Sequence, residues 1–155
     1  MSETTDIVSA AGSAISAFAA CVAAVGVWYA RHQLKTSREI AQLQFEDALG
    51  KEYRELAGEL SKKALMGDRL NDDEYEEAFD ELYRYVDLTN EQISLRSRGR
   101  ITSSVWGSWS EGIEANLNLP AFSQAWTEIK ARSKGFEELR RLERENFKSD
   151  PKYWR

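Results

Sequence analysis

The chain has 155 residues, 42% hydrophobic and 30% charged, with 21 basic against 26 acidic side chains and a net charge of -5. That length accommodates one soluble domain of modest core beside an apolar segment, and the acidic balance argues against a dedicated nucleic-acid binder, which carries a basic excess. A single cysteine, Cys21, excludes a disulfide framework and a cysteine-based metal site.

The chain opens on an acidic leader, residues 1–6, and then runs from Ile7 to Ala30 through 24 residues without a charge, Pro, Asn or Gln. As a helix this segment is about 36 Å long at 1.5 Å per residue, enough to cross a hydrocarbon core of about 30 Å. A cleaved signal peptide carries basic residues ahead of a shorter apolar run, so the segment reads as a retained transmembrane helix. Trp28 and Tyr29 stand at its C-terminal end, where aromatic rings favour the headgroup layer, and Arg31, Lys35 and Arg38 follow. These five are the expected membrane-interface residues, and the basic flank puts the N-terminus outside and the rest of the chain in the cytoplasm. The alternative is an Ala-rich helix buried in a soluble bundle, because Ala, Gly and Ser make the segment less apolar than a Leu-rich span.

Gly12, Ser16, Ala20 and Ala24 recur every four residues, giving a strip on which a second helix backbone can approach closely. This is the expected oligomer interface within the span, although small residues also coincide by chance in an Ala-rich segment. A pore built from several copies would be lined by Ser9, Ser13 and Ser16, which is a weak lining with no charged pathway.

From Val27 to Leu49 no Pro or Gly interrupts the chain, and apolar residues continue at helical spacing through Leu34, Ile40, Leu43, Leu49, Tyr53, Leu56 and Leu60. The helix is expected to continue to about Ala64 and to break at "MGDRLNDDE". Asn71 or Asp72 caps the next one, whose apolar face is Tyr75, Phe79, Leu82, Val86 and Ile93 and which ends at Gly99. Thr102 or Ser103 opens a shorter helix with Trp106, Trp109 and Ile113; Pro120 opens another with Phe122, Trp126 and Ile129; Gly135 precedes the last. No segment reads as a strand. The expected fold is all-α, a transmembrane helix (7–30) continuing into a long helix packed with a cytoplasmic bundle (31–149), followed by a short aromatic and basic tail (150–155) that docks on a neighbouring protomer or frays. Trp106, Trp109 and Trp126 are the expected core anchors.

The search for chemistry is mostly negative. His32 is the only histidine and sits at the membrane edge, so a catalytic triad or histidine metal cluster would depend on it alone. A HEPN-type ribonuclease places an Arg several residues before its His, and no Arg stands there. The acidic run from Asp72 to Glu81 lacks the alternating ligands and Gly of a calcium loop, and reads as a solvated helix start. Arg96, Arg98 and Arg100, close to Trp106 and Trp109, are of a type that can contact a nucleotide or RNA phosphate; they also suit the negative end of a helix. No catalytic residue, metal or cofactor is expected.

The run from Tyr83 to Trp126 resembles a broad group of small bacterial membrane proteins of unassigned function, built as one N-terminal span and a helical domain. The residues that carry the resemblance are Asn90 and Glu91, Gly99 to Ile101, Trp106 and Trp109, Gly112 and Ile113, and Pro120 and Phe122. The layout is similar to that of the membrane accessory protein of type VI-B CRISPR systems, and proteins of that layout are associated with antiphage defence through oligomers that perturb the inner membrane. The resemblance implies a single-pass inner-membrane protein that self-assembles and acts as a defence-type effector or CRISPR accessory. Its implied partners are the lipid bilayer, further copies of itself and a cytoplasmic protein or CRISPR effector. A membrane-tethered interaction module without channel activity is the alternative, and an enzyme ranks last.

Overall fold

The computed structural model describes the backbone of residues 2–154 and the side chains of residues 23–154. It is all-helical, with no strand among the described residues: α1 (Ser2–Glu59), α2 (Lys62–Leu65), α3 (Asp72–Ser97), α4 (Ser103–Leu117), α5 (Pro120–Arg132), α6 (Glu137–Arg144) and a terminal 3₁₀ turn (Pro151–Tyr153). The chain divides into two compact units, Met1–Ala41 and Gln42–Arg155.

Within the first unit, every residue of α1 from Ala23 to Ile40 is exposed. Its side-chain contacts are local: Trp28 and His32 stack with ring centroids 5.9 Å apart, and Thr36 Oγ1 donates to the His32 carbonyl at 3.2 Å. His32 is thus held against an indole one helical turn away.

The second unit is built around α3, whose sides meet α5, α6 and the 3₁₀ turn. Leu82, Val86 and Ile93 of α3 are fully buried, together with Phe122 of α5 and Leu139 and Leu142 of α6. The last turns of α1 join this core through Leu49, Leu56 and Leu60. Phe122 meets Tyr85 edge-on at 4.9 Å, an arrangement that adds about 1 kcal/mol to the burial of the two rings.

Local chemistry sets most element ends. Asn71 accepts from the Glu74 N–H while Glu74 accepts from the Asn71 N–H, a complete capping box that starts α3. Asp72, Asp73 and Glu74 of the acidic run form the first turn, and Glu74 also pairs with Lys63. At the other end Gly99 adopts φ +70°, its N–H reaching the Arg96 carbonyl and the Arg100 N–H that of Leu95. This double closure favours a residue without a Cβ. Gly67 closes α2 in the same way at φ +86°. Thr102 caps α4 and Pro120 occupies the first turn of α5.

Two sequence expectations need correction. The long helix stops at Glu59, and a separate single turn, Lys62–Leu65, follows with Ala64 buried. Residues 150–154 belong to the packed domain: Pro151 is fully buried, and Trp154 lies under the Arg141 guanidinium at 4.6 Å.

Candidate functional site

The three expected ligand-facing arginines separate. Arg96 is 1% exposed and its guanidinium is used internally. Its Nε donates to Asp150 Oδ1 at 2.7 Å, Nη1 to the Ile101 carbonyl at 2.6 Å, and Nη2 to Ser103 Oγ at 3.0 Å and to Asp150 Oδ2. Burial of so large a cation is tolerated because a bidentate carboxylate and further acceptors meet its donors. The same hydrogen bonds, with the Arg96 charge, hold the Asp150 carboxyl below its usual range. Arg96 is therefore a fastener between α3, the start of α4 and the terminal turn, and it is removed from the ligand set. Arg98 and Arg100 are exposed.

A second polar link ties α1 to α4. Glu46 is 6% exposed and accepts from the Thr102 N–H at 2.5 Å. In a capping box the third helical residue would take that N–H; here that residue is Val105, whose side chain is apolar, and a carboxylate from another helix substitutes. Asn90 does the same for α6. Phe136, in left-handed conformation at the N-cap, has no side-chain acceptor, and Asn90 Oδ1 accepts from the Leu139 N–H at 3.1 Å. Arg140 closes α5, donating to the carbonyls of Lys130, Ser133 and Gly135. Several of the residues that carry the resemblance are thus structural: Asn90 caps, Gly99 turns, the Ile101 carbonyl receives Arg96, and Phe122 fills the core.

Trp109, Gly112 and Ile113 have another role. With the last turns of α1 and the middle of α3 they line a pocket of 240 Å³ inside the second unit. Trp109 is only partly buried and forms one wall, whereas Trp106 and Trp126 are core residues at 5% and 3% exposure. Tyr53 and Tyr85 supply further aromatic surface, their rings 6.3 Å apart, and Asn116 Nδ2 donates to both hydroxyls at 3.3 and 3.1 Å. Burial raises the Tyr85 hydroxyl to about 12, so it stays protonated at any physiological pH. Gln92 is 5% exposed, lines the same pocket, and its amide makes no hydrogen bond to any described residue. Arg54, exposed at the rim, is the one charged residue of the lining.

A depression along α5 is larger, 790 Å³, but open to solvent. Its Glu128 already accepts from Tyr75 at 2.9 Å and pairs with Arg132 at 2.8 Å. Among the described residues no group of three or more His, Cys, Asp or Glu could hold a metal ion.

The interface residues of the expected span, Trp28, Tyr29, Arg31, Lys35 and Arg38, are all exposed, and Lys35 approaches Glu39 at 4.0 Å. Among the described residues no helix is long and apolar enough to cross a membrane. Residues 7–22 of the expected span lie outside the residues whose side chains are described, as do Ser9, Gly12, Ser13, Ser16 and Ala20; Ala24 is described and exposed. Comparison with protein families, curated proteins and solved structures finds no match to this chain.

Proposed function

We propose that this chain is a single-pass membrane protein of the bacterial inner membrane, anchored through the first half of α1 and carrying its helical domain in the cytoplasm. The observation that supports this reading is one uninterrupted 58-residue helix whose exposed stretch is apolar where exposure is costly. Val25, Val27, Trp28 and Tyr29 are between 54% and 67% exposed. With the uncharged residues that precede them, they make a helix that needs lipid or other copies of itself to cover it. In this proposal the copies associate along Gly12, Ser16, Ala20 and Ala24, and the assembly acts as an antiphage-defence effector or CRISPR accessory, as the resemblance over Tyr83 to Trp126 implies.

The test is mass photometry of the full chain in lipid nanodiscs, beside alkaline extraction of membranes from expressing cells. The expected result is a protein that resists extraction and forms a discrete oligomer, which dissociates when Ser16→Ile and Ala20→Ile are combined. Release by alkali would end the anchoring proposal, and a monomer in nanodiscs would end the assembly.

A second reading is favoured by the pocket among Tyr53, Gln92 and Trp109: a tether that presents a ligand-holding or partner-holding domain at the membrane without altering permeability. A membrane-potential dye separates the two, since induction of an effector collapses the potential and induction of a tether leaves it intact.

A further inference from the structure

We infer that the pocket between the end of α1, α3 and α4 binds a purine nucleoside or nucleotide, the base lying against Trp109 and read by Gln92, with Arg54 at the mouth. The inference does not depend on how α1 is anchored, because every lining residue lies within Gln42–Arg155.

Gln92 is the central observation. A carboxamide on a cavity wall that meets no protein partner is left to hydrogen-bond with whatever enters the cavity. Gln92 is 5% exposed and stands in that position, lining the cavity with an amide that is paired to no described residue yet is not sealed from the cavity. The arrangement suits a site in which a ligand edge supplies the donor and acceptor that Gln92 can meet. A carboxamide offers one donor and one acceptor side by side, the complement of the paired donor and acceptor on a nucleobase edge; Gln meets adenine in this way in DNA recognition.

The remaining lining fits the same class. Trp109 and Tyr53 line the pocket with aromatic rings, on which a base can stack whatever its sequence identity. Tyr85 stays neutral, and Asn116, which donates to both tyrosines, keeps its carbonyl oxygen for a further donor. No acidic residue lines the pocket, so it disfavours a cation, whereas Arg54 at the rim can meet a phosphate. The volume of 240 Å³ corresponds to roughly eight waters of liquid, room for a fused bicyclic base and part of its sugar. Gly112 lines this space too, and a Cβ placed on it meets nothing within 4 Å, so a larger side chain there projects into room that is free.

The experiment is ligand-observed NMR and isothermal titration on the full chain in nanodiscs, with adenosine, adenosine 5′-monophosphate and, as a planar aromatic control, indole. The expected result is binding of adenosine and its monophosphate with dissociation constants below 1 mM, and tenfold or weaker binding of indole. Gln92→Leu is expected to weaken both ligands at least tenfold while the melting temperature holds or rises. That combination separates a ligand-reading residue from a structural one, whose loss would lower the melting temperature. Gly112→Leu, favourable in a helix, is expected to abolish binding in a folded protein. Arg54→Ala is expected to weaken the monophosphate five- to tenfold and to leave adenosine unchanged. Absence of purine binding at millimolar concentration would overturn the inference. So would affinity that survives both Gln92→Leu and Gly112→Leu, or indole binding as tightly as adenosine.

Discussion

The two halves of α1 are one helix in two environments. From Ala23 to Ile40 its apolar side chains are exposed and its contacts are with its own neighbouring turns. From Leu49 to Leu60 the same helix buries leucines, takes part in the Tyr53–Tyr85–Asn116 cluster and, just upstream at Glu46, caps α4. The difference teaches that helix formation and helix stabilisation are separate here. The stretch from Ala23 to Ile40 has the spacing and composition of a helix but no buried face, whereas the end of α1 is held by packing, which supplies most helical stability in folded domains.

Breaking the second environment is expected to have the largest effect. Arg96→Ala leaves the Asp150 carboxylate and the Ile101 carbonyl without their shared partner, and should cost about 3–5 kcal/mol in urea unfolding. Its effect should exceed that of Arg98→Ala, which is exposed, by several-fold.

The same pair sets an acid limit on the terminal turn. Asp150 is held below its usual range by Arg96, so the stability it contributes is present above the carboxylate's unfolded value and is lost as pH falls through the lower folded one. Acidification should therefore release residues 150–154, read as faster removal by carboxypeptidase as the pH drops below the usual carboxylate range. Asp150→Asn should release them at neutral pH and flatten the dependence.

Asn90→Ala removes the acceptor at the start of α6 and should cost about 1 kcal/mol, with faster amide exchange confined to Glu137–Arg144. At the other extreme, Trp28→Ala should change the unfolding of the domain by less than about 0.5 kcal/mol, because Trp28 touches only His32 among the aromatic rings described. A larger shift would mean that the first half of α1 is supported by the fold, and the contrast between the two halves would fail.

Much of this architecture is legible in the sequence, for a local reason. Asn71 with Glu74, Thr102 before Val105, Pro120 and Gly99 act within one turn of where they stand, so the spacing that marks them also carries their physics. What the sequence hides is action at a distance. Glu46 reaches Thr102, Arg96 reaches Asp150 and Asn90 reaches Leu139 across about 50 residues, and no periodicity reports such partners. Arg96 looks like a helix-ending cation next to Arg98 and Arg100; only the topology separates the buried one from the two exposed. The pocket was hidden in the same way. Gln92 falls beside Ile93 on a helix whose apolar face is evident, and its place on a cavity wall emerges only from the residues that α1 and α4 bring to it. Trp109 shares its spacing with Trp106, yet one forms a wall and the other the core.

The five indoles sort into environments that light can distinguish. Trp28 is two-thirds exposed, Trp106 and Trp126 are dark to water, and Trp109 and Trp154 stand between. Trp126 Nε1 is buried without an acceptor, and Lys130 and Arg140 lie over its ring at 5.1 Å and 5.6 Å. An indole without a hydrogen-bond partner emits at the blue edge of its range, while one in water emits at the red. The protein therefore carries its own set of reporters: blue emission follows the core, red emission the exposed turn at Trp28, and quenching at Trp109 the filling of the pocket, all without a label.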